Sequence, residues 1–170
     1  MAILFTIVIS YYFAVLVGWL IHFFLHCEIF GFKVYKYHLF AHHKNLNIAH
    51  HSDMNRYNII EHLIWIFFIG LAILLVVVIM PAPYNMIFVG VAVLYAGFFY
   101  YVHDNVHFKK SFLNRYKWFR KLKSRHLIHH RWGGVITFKK PIQEECPNIA
   151  FGGPVGGVLL DKLVKAEKKI

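Results

Sequence analysis

Apolar positions in this chain are gathered into three long blocks, separated by polar and basic stretches. The first block, 3–25, is interrupted by Ser10, Tyr11, Tyr12, Gly18 and His22 and holds one further hydroxyl, Thr6. The second, 63–80, reads LIWIFFIGLAILLVVVIM without a polar residue, and the third covers 86–102. At about 1.5 Å rise per helical residue, blocks of this length reach roughly across the hydrocarbon core of a bilayer. The PAPYN turn at 81–85 divides the second block from the third, its prolines ending one helix and opening the next. The first block lacks a basic leader and a small-residue cleavage site, so it reads as a membrane helix rather than a signal peptide. The pattern predicts an all-α integral membrane protein of one domain, 1–170. Three transmembrane helices (about 3–25, 63–80 and 86–102) carry a helical cap formed by 26–62 and 103–170. In the cap, 28–61 suggests one or two helices lying along the membrane. The stretch from Phe108 to His130 alternates basic and aromatic residues as an interfacial amphipathic helix does. A loop at Gly133 and Gly134 follows, and a short final helix is expected over 158–168.

Charge orients this arrangement. The net charge is +11, and all 19 Lys and Arg lie between Lys33 and Arg56 or from Lys109 onward. None falls within the apolar blocks or the turn. By the positive-inside rule the cap is cytosolic and the amino terminus outside, as in a multi-pass protein of the endoplasmic reticulum or a bacterial inner membrane. The basic face suits anionic headgroups. No aromatic-basic platform or nucleic-acid motif accompanies it, so nucleic acid is not an expected partner. A hydrophobic fraction of 58% is high for a soluble domain. Cys27 and Cys146 are far apart and read as reduced thiols, not as a zinc ribbon or a disulfide framework. The run Gly-Gly-Pro-Val-Gly-Gly lacks the Gly-Lys-Ser/Thr of a phosphate loop.

Histidine carries the chemistry. The chain has 13; random placement would give about one pair at i, i+4. Four occur: His22/His26, His38/His42, His103/His107 and His126/His130. His43 and His129 complete two of the clusters. On helices these spacings stack imidazoles on one face, and neutral imidazole is the commonest side-chain ligand for transition metals. Ten imidazoles suit two metals with open positions; nitrogen ligation alone admits zinc, iron, copper or nickel. All four clusters fall at the basic ends of the apolar blocks. His50, His51 and His62 lack a helix-spaced partner and read as outer-sphere or surface residues. Asp104, Asp53 and Glu61 are candidates to fix ligand tautomers by accepting the second ring N–H. Phe98, Phe99, Tyr100 and Tyr101 are candidates to line a lipid slot.

In this order, the clusters resemble the fatty acid hydroxylase superfamily of membrane non-haem di-iron proteins, from His22 to about Lys165. That group includes sterol desaturases, fatty acid hydroxylases and β-carotene hydroxylases. YYVHDNVH looks most like the β-carotene hydroxylases; NIAFGGPVGGVLLDKL looks more like the fatty acid hydroxylase and sterol desaturase members. The resemblance implies metal ligation by His22, His26, His38, His42, His43, His103, His107, His126, His129 and His130, with no catalytic residue beyond these ligands. It implies two iron ions (zinc as a substitute) and O2. It also implies hydroxylation or desaturation of a membrane-dissolved lipid such as a fatty acyl chain or sterol, or alternatively a carotenoid. The second cluster departs from the family: it is H-x-x-x-H-H where H-x-x-H-H is usual. No His-Pro-Gly-Gly of a fused cytochrome is present. Electrons from NAD(P)H are therefore expected through a separate reductase and a carrier of cytochrome b5 or ferredoxin type. Two rival classes fit less well. A zinc-dependent membrane hydrolase would want a general-base carboxylate within a ligand motif, and H-E-x-x-H is absent. A non-catalytic metal carrier would want polar groups along the second and third blocks, which have almost none.

Overall fold

A computed structural model describes residues 1–28, 33–44, 59–132, 134–149 and 157–167. His50, His51 and Asp53 lie outside these residues, as do the side chains of Glu61 and His62. The described chain is helical, with no strand beyond one isolated bridge between Cys27 and Ile136.

Three long helices form the body: α1 (Ala2–Leu25), α3 (Ile59–Ile79) and α4 (Tyr84–His107). Between α1 and α3, the four-residue α2 (Tyr35–His38) runs directly into a π-helical turn, Leu39–Lys44. After α4, a 3-10 turn (Phe112–Arg115) leads into α5 (Lys117–Trp132). The short helices α6 (Ile142–Glu145) and α7 (Gly157–Leu163) complete the described fold. The predicted blocks correspond to α1, α3 and α4. The third is longer than its apolar run, because α4 continues through His103 to His107 and carries both on its inner end.

Helices α1 and α4 are long and apolar enough to cross a membrane; the apolar part of α3 covers Trp65–Ile79. Their outer flanks are bare. Leu94 is 76% exposed, Val78 75% and Phe5 67%. Each such side chain would gain about 1.5–3 kcal/mol on leaving water, so a belt of them calls for an apolar surrounding. The few polar groups in the outer half of α1 are satisfied within the helix: Thr6 donates to the Ala2 carbonyl (2.9 Å) and Ser10 to that of Thr6 (2.6 Å), as a low-dielectric surrounding requires.

The buried core lies at the other end, among the inner ends of α1 and α4, helix α5 and the segment 134–149. Phe119 and Leu122 of α5 pack on Val102 and Val106 of α4. Trp19 and Cys27 pack with Ile136, Cys146, Ile149 and Ala166. Helix α5 thus buries one face, and its basic residues Lys117, Arg120 and Lys121 stay exposed.

Candidate metal centre

Nine of the ten histidines singled out by spacing converge in two adjoining groups. His22, His26, His38, His43 and His129 form one; His42, His107, His126 and His130 form the other. Within each group, one ring nitrogen per residue lies within 4.8 Å of all the others. The tenth, His103, sits beside the second group. Its ring stacks on His42 at 4.7 Å and meets His107 and His126 edge-on at 5.0 and 4.9 Å. The groups touch through His43 and His130, stacked at 4.2 Å, and through His38 and His42 at 5.0 Å.

The two His-His doublets have a geometric purpose. Adjacent helical residues point about 100° apart, since a turn holds 3.6 residues. Each doublet therefore divides between the groups: His43 and His129 face the first, His42 and His130 the second. The π-helical turn accounts for the unusual spacing of the second cluster. Its i→i+5 pattern is wider than an α-turn, so His42 and His43, four and five residues after His38, both come back toward it.

Backbone carbonyls set the tautomers in the first group. His22 Nδ1 donates to the Ile149 carbonyl (2.8 Å), His26 Nδ1 to Gly134 (3.0 Å) and His129 Nδ1 to Pro147 (3.1 Å). A carbonyl only accepts, so each Nδ1 carries the hydrogen and each Nε2 presents a lone pair inward. These carbonyls are the described partners; Asp53 and the Glu61 side chain lie outside the described residues. The carbonyls come from 134–149, a segment with no histidine and no helix beyond the four residues of α6. Its path is fixed by the Ile136 N–H bond to the His26 carbonyl (2.9 Å) and by Glu145, whose carboxylate accepts from the Thr137 hydroxyl and from the backbone of Thr137 and Phe138. Gly134 is required by close approach: a Cβ there would stand 1.5 Å from the Glu145 carbonyl oxygen.

The consequence is decisive for chemistry. His26 Nε2 and His129 Nε2 face each other at 3.2 Å, and both are lone-pair bearing. Burial first, and neighbouring imidazoles second, hold the pKa of both well below the ordinary histidine value, so neither is an imidazolium that would bridge the gap with a proton. Two buried lone pairs facing each other repel unless a cation lies between them. His126 and His107 also approach Nε2 to Nε2 in the second group, at 3.1 Å. With metal–nitrogen bonds of about 2.0–2.1 Å, ligand–ligand edges run from about 2.9 Å (octahedral) to about 3.3 Å (tetrahedral), and both distances fall there. Among the described residues, the buried His22 Nε2, His42 Nε2 and both nitrogens of His130 find no hydrogen-bond partner. Groups so placed cost free energy unless they are used. The residues fit a pair of metal ions.

A clasp behind the histidines joins three helices. Asp161 of α7, fully buried, accepts from Trp19 Nε1 of α1 (3.0 Å) and from Arg125 of α5 (3.2 Å); Arg125 also reaches Glu167 (2.6 Å). Arg125 immediately precedes His126, and Trp19 lies one turn before His22. The clasp thus ties the two helices whose inner ends carry five of the ten histidines.

Comparison with protein-family models, curated proteins and solved structures found no match.

An apolar cavity of about 260 Å³ opens onto the histidines between α1, α3 and α4. His22, His38 and His103 form its inner end, and Phe13 and Phe88 are its outermost members on α1 and α4. Of the four aromatics considered for a lipid slot, Phe99 and Tyr100 line it, whereas Phe98 and Tyr101 do not and are about half exposed. One α-helical face carries only part of a run of four.

Proposed function

We propose that this protein is a membrane-bound, dinuclear metal oxidoreductase of the fatty acid hydroxylase type that uses O2 to hydroxylate or desaturate a lipid. The observation that carries this reading is the cavity ending on His22, His38 and His103 beside two all-imidazole groups. A hydrocarbon stretch held there meets the metals with no hydrolysable bond required. Neither histidine group includes a carboxylate among the described residues, which argues against a metal hydrolase, where one serves as general base. Oxidising an unactivated C–H bond needs a metal with accessible redox states, which favours iron over zinc.

Bound iron would supply O2 activation and hydrogen abstraction. The chain's own residues hold, orient and exclude. His22, His26, His38, His43 and His129 would hold one ion and His42, His107, His126 and His130 the other, with His103 beside the latter. The carbonyls of residues 134, 147 and 149 keep three ligands in the ligating tautomer, and the cavity wall keeps water from the reacting carbon. In this reading α1, α3 and α4 all cross the bilayer, the histidines face the cytosol, and a separate carrier delivers electrons.

Metal analysis and lipid mass spectrometry on cells with defined lipid and carotenoid pools test this. Two irons per chain and a lipid changed by +16 or −2 mass units are expected, both lost in His129→Ala. Iron-loaded protein that alters no lipid overturns the oxidoreductase reading, and one tightly held zinc per chain would favour hydrolysis.

A further inference from the structure

The cavity has a graded wall. Small residues make the room along its middle: Ala14 and Gly18 on α1, Ala92 and Ala96 on α4, each pair one turn apart and so on one face of its helix. The outer limit is aromatic. Phe13 and Phe88 meet edge-on with ring centroids 5.1 Å apart, and Phe88 is 4% exposed. The inner limit is the histidines. From Phe88 to His103 is fifteen residues on α4, about 22 Å along the axis, and from Phe13 to His22 nine residues on α1, about 13 Å. The space is thus long for its 260 Å³, which is below the usual range of roughly 300–1,000 Å³ for compact ligands. Among the described residues, no Lys, Arg, Asp or Glu lines it. A charged or strongly polar headgroup would find no partner within it, whereas basic residues lie beyond the histidines.

We infer that the cavity holds one unbranched alkyl chain, methyl end first against Phe13 and Phe88, so that these rings set which carbon faces the histidines by counting from the methyl terminus. Polycyclic and multiply branched lipids do not fit between the small-residue faces. Chains of different length seat at the same depth, and the surplus projects past the histidines toward the headgroup region. This rests on the lipid-oxidising reading for its consequence, but not for its test, which needs no turnover.

The test uses Trp65, which lines the cavity and whose ring lies 5.9 Å from that of Phe99, itself stacked on His103. The full-length protein as isolated, held in lipid nanodiscs without reductant so that no turnover occurs, is titrated with saturated fatty acids of several lengths, each brominated at one known carbon. Quenching of Trp65 emission is taken as the difference between the protein and Trp65→Phe. Maximum quenching is expected at the same count from the methyl end for every chain length. In Phe88→Ala the maximum moves at least one carbon toward the carboxyl end, because the chain sinks into the space vacated by the ring. Phe88→Leu, which keeps an apolar side chain, is the second variant and shifts in the same direction by less. A maximum at a constant count from the carboxyl group, or a wild-type profile in both Phe88 variants, overturns the inference. So does equal quenching by brominated sterol. Such a result leaves the metal and mass-shift tests of the proposed function standing.

Discussion

Acid should empty this centre, and the reason lies in single imidazoles. Burial first, then repulsion from neighbouring rings, pushes His26, His38, His42, His43, His126, His129 and His130 well below the ordinary value. In the unfolded chain each returns to about 6.5. The fold therefore favours the neutral, ligating form. This contribution is fully present above about pH 6.5, and it is lost as pH falls below that value, where the unfolded chain binds more protons. Each imidazole adds a slope of about 1.4 kcal/mol per pH unit. Bound metal and melting temperature should be level from about pH 8 to 7 and fall together below about pH 6, as metal analysis and thermal unfolding in detergent would record. The histidines were legible because helical spacing is written directly in sequence. Their carbonyl partners at 134, 147 and 149 were not, since every residue has a carbonyl and only the folded path selects three of them. Gly134 was visible only as a loop marker; its need to pass the Glu145 backbone is a tertiary fact.

Among elements, α1, α3 and α4 followed from unbroken apolar runs, and α5 from its alternating basic and aromatic residues. The π-helical turn did not follow: spacing showed one residue too many between His38 and the His42-His43 doublet, and only the structure places that residue in a widened turn. The clasp between helices was equally hidden, because Trp19, Arg125 and Asp161 are remote in sequence and unremarkable one by one. Its removal should be costly. Asp161→Ala leaves Arg125, 5% exposed, with Glu167 as its remaining described acidic partner. A buried pair broken from one side costs about 3–5 kcal/mol, and the remaining contact to Glu167, whose side chain is 21% exposed, softens this toward the lower figure. Denaturant unfolding in detergent should show a loss of about 3 kcal/mol, and metal content should fall with it because α1 and α5 lose their common anchor.

At the scale of the whole molecule, the net charge of +11 and the bare apolar belt divide the protein into a basic, histidine-filled end and an oily one. On the proposed reading of three crossings, the 81–85 turn and the basic cap lie on opposite faces of the membrane. In a cysteine-free background, Asn85→Cys in sealed vesicles whose cytosolic face is turned inward should react with an impermeant reagent. Lys121→Cys should react only after the vesicles are opened, and the reverse pattern would turn the whole arrangement over. Both histidine groups draw on α5: the first takes His129, the second His126 and His130. Neither group is complete until α5 has left the ribosome. On the proposed reading, ions are therefore acquired only after α1, α3 and α4 have been made, and a product stalled before α5 could assemble neither complete site.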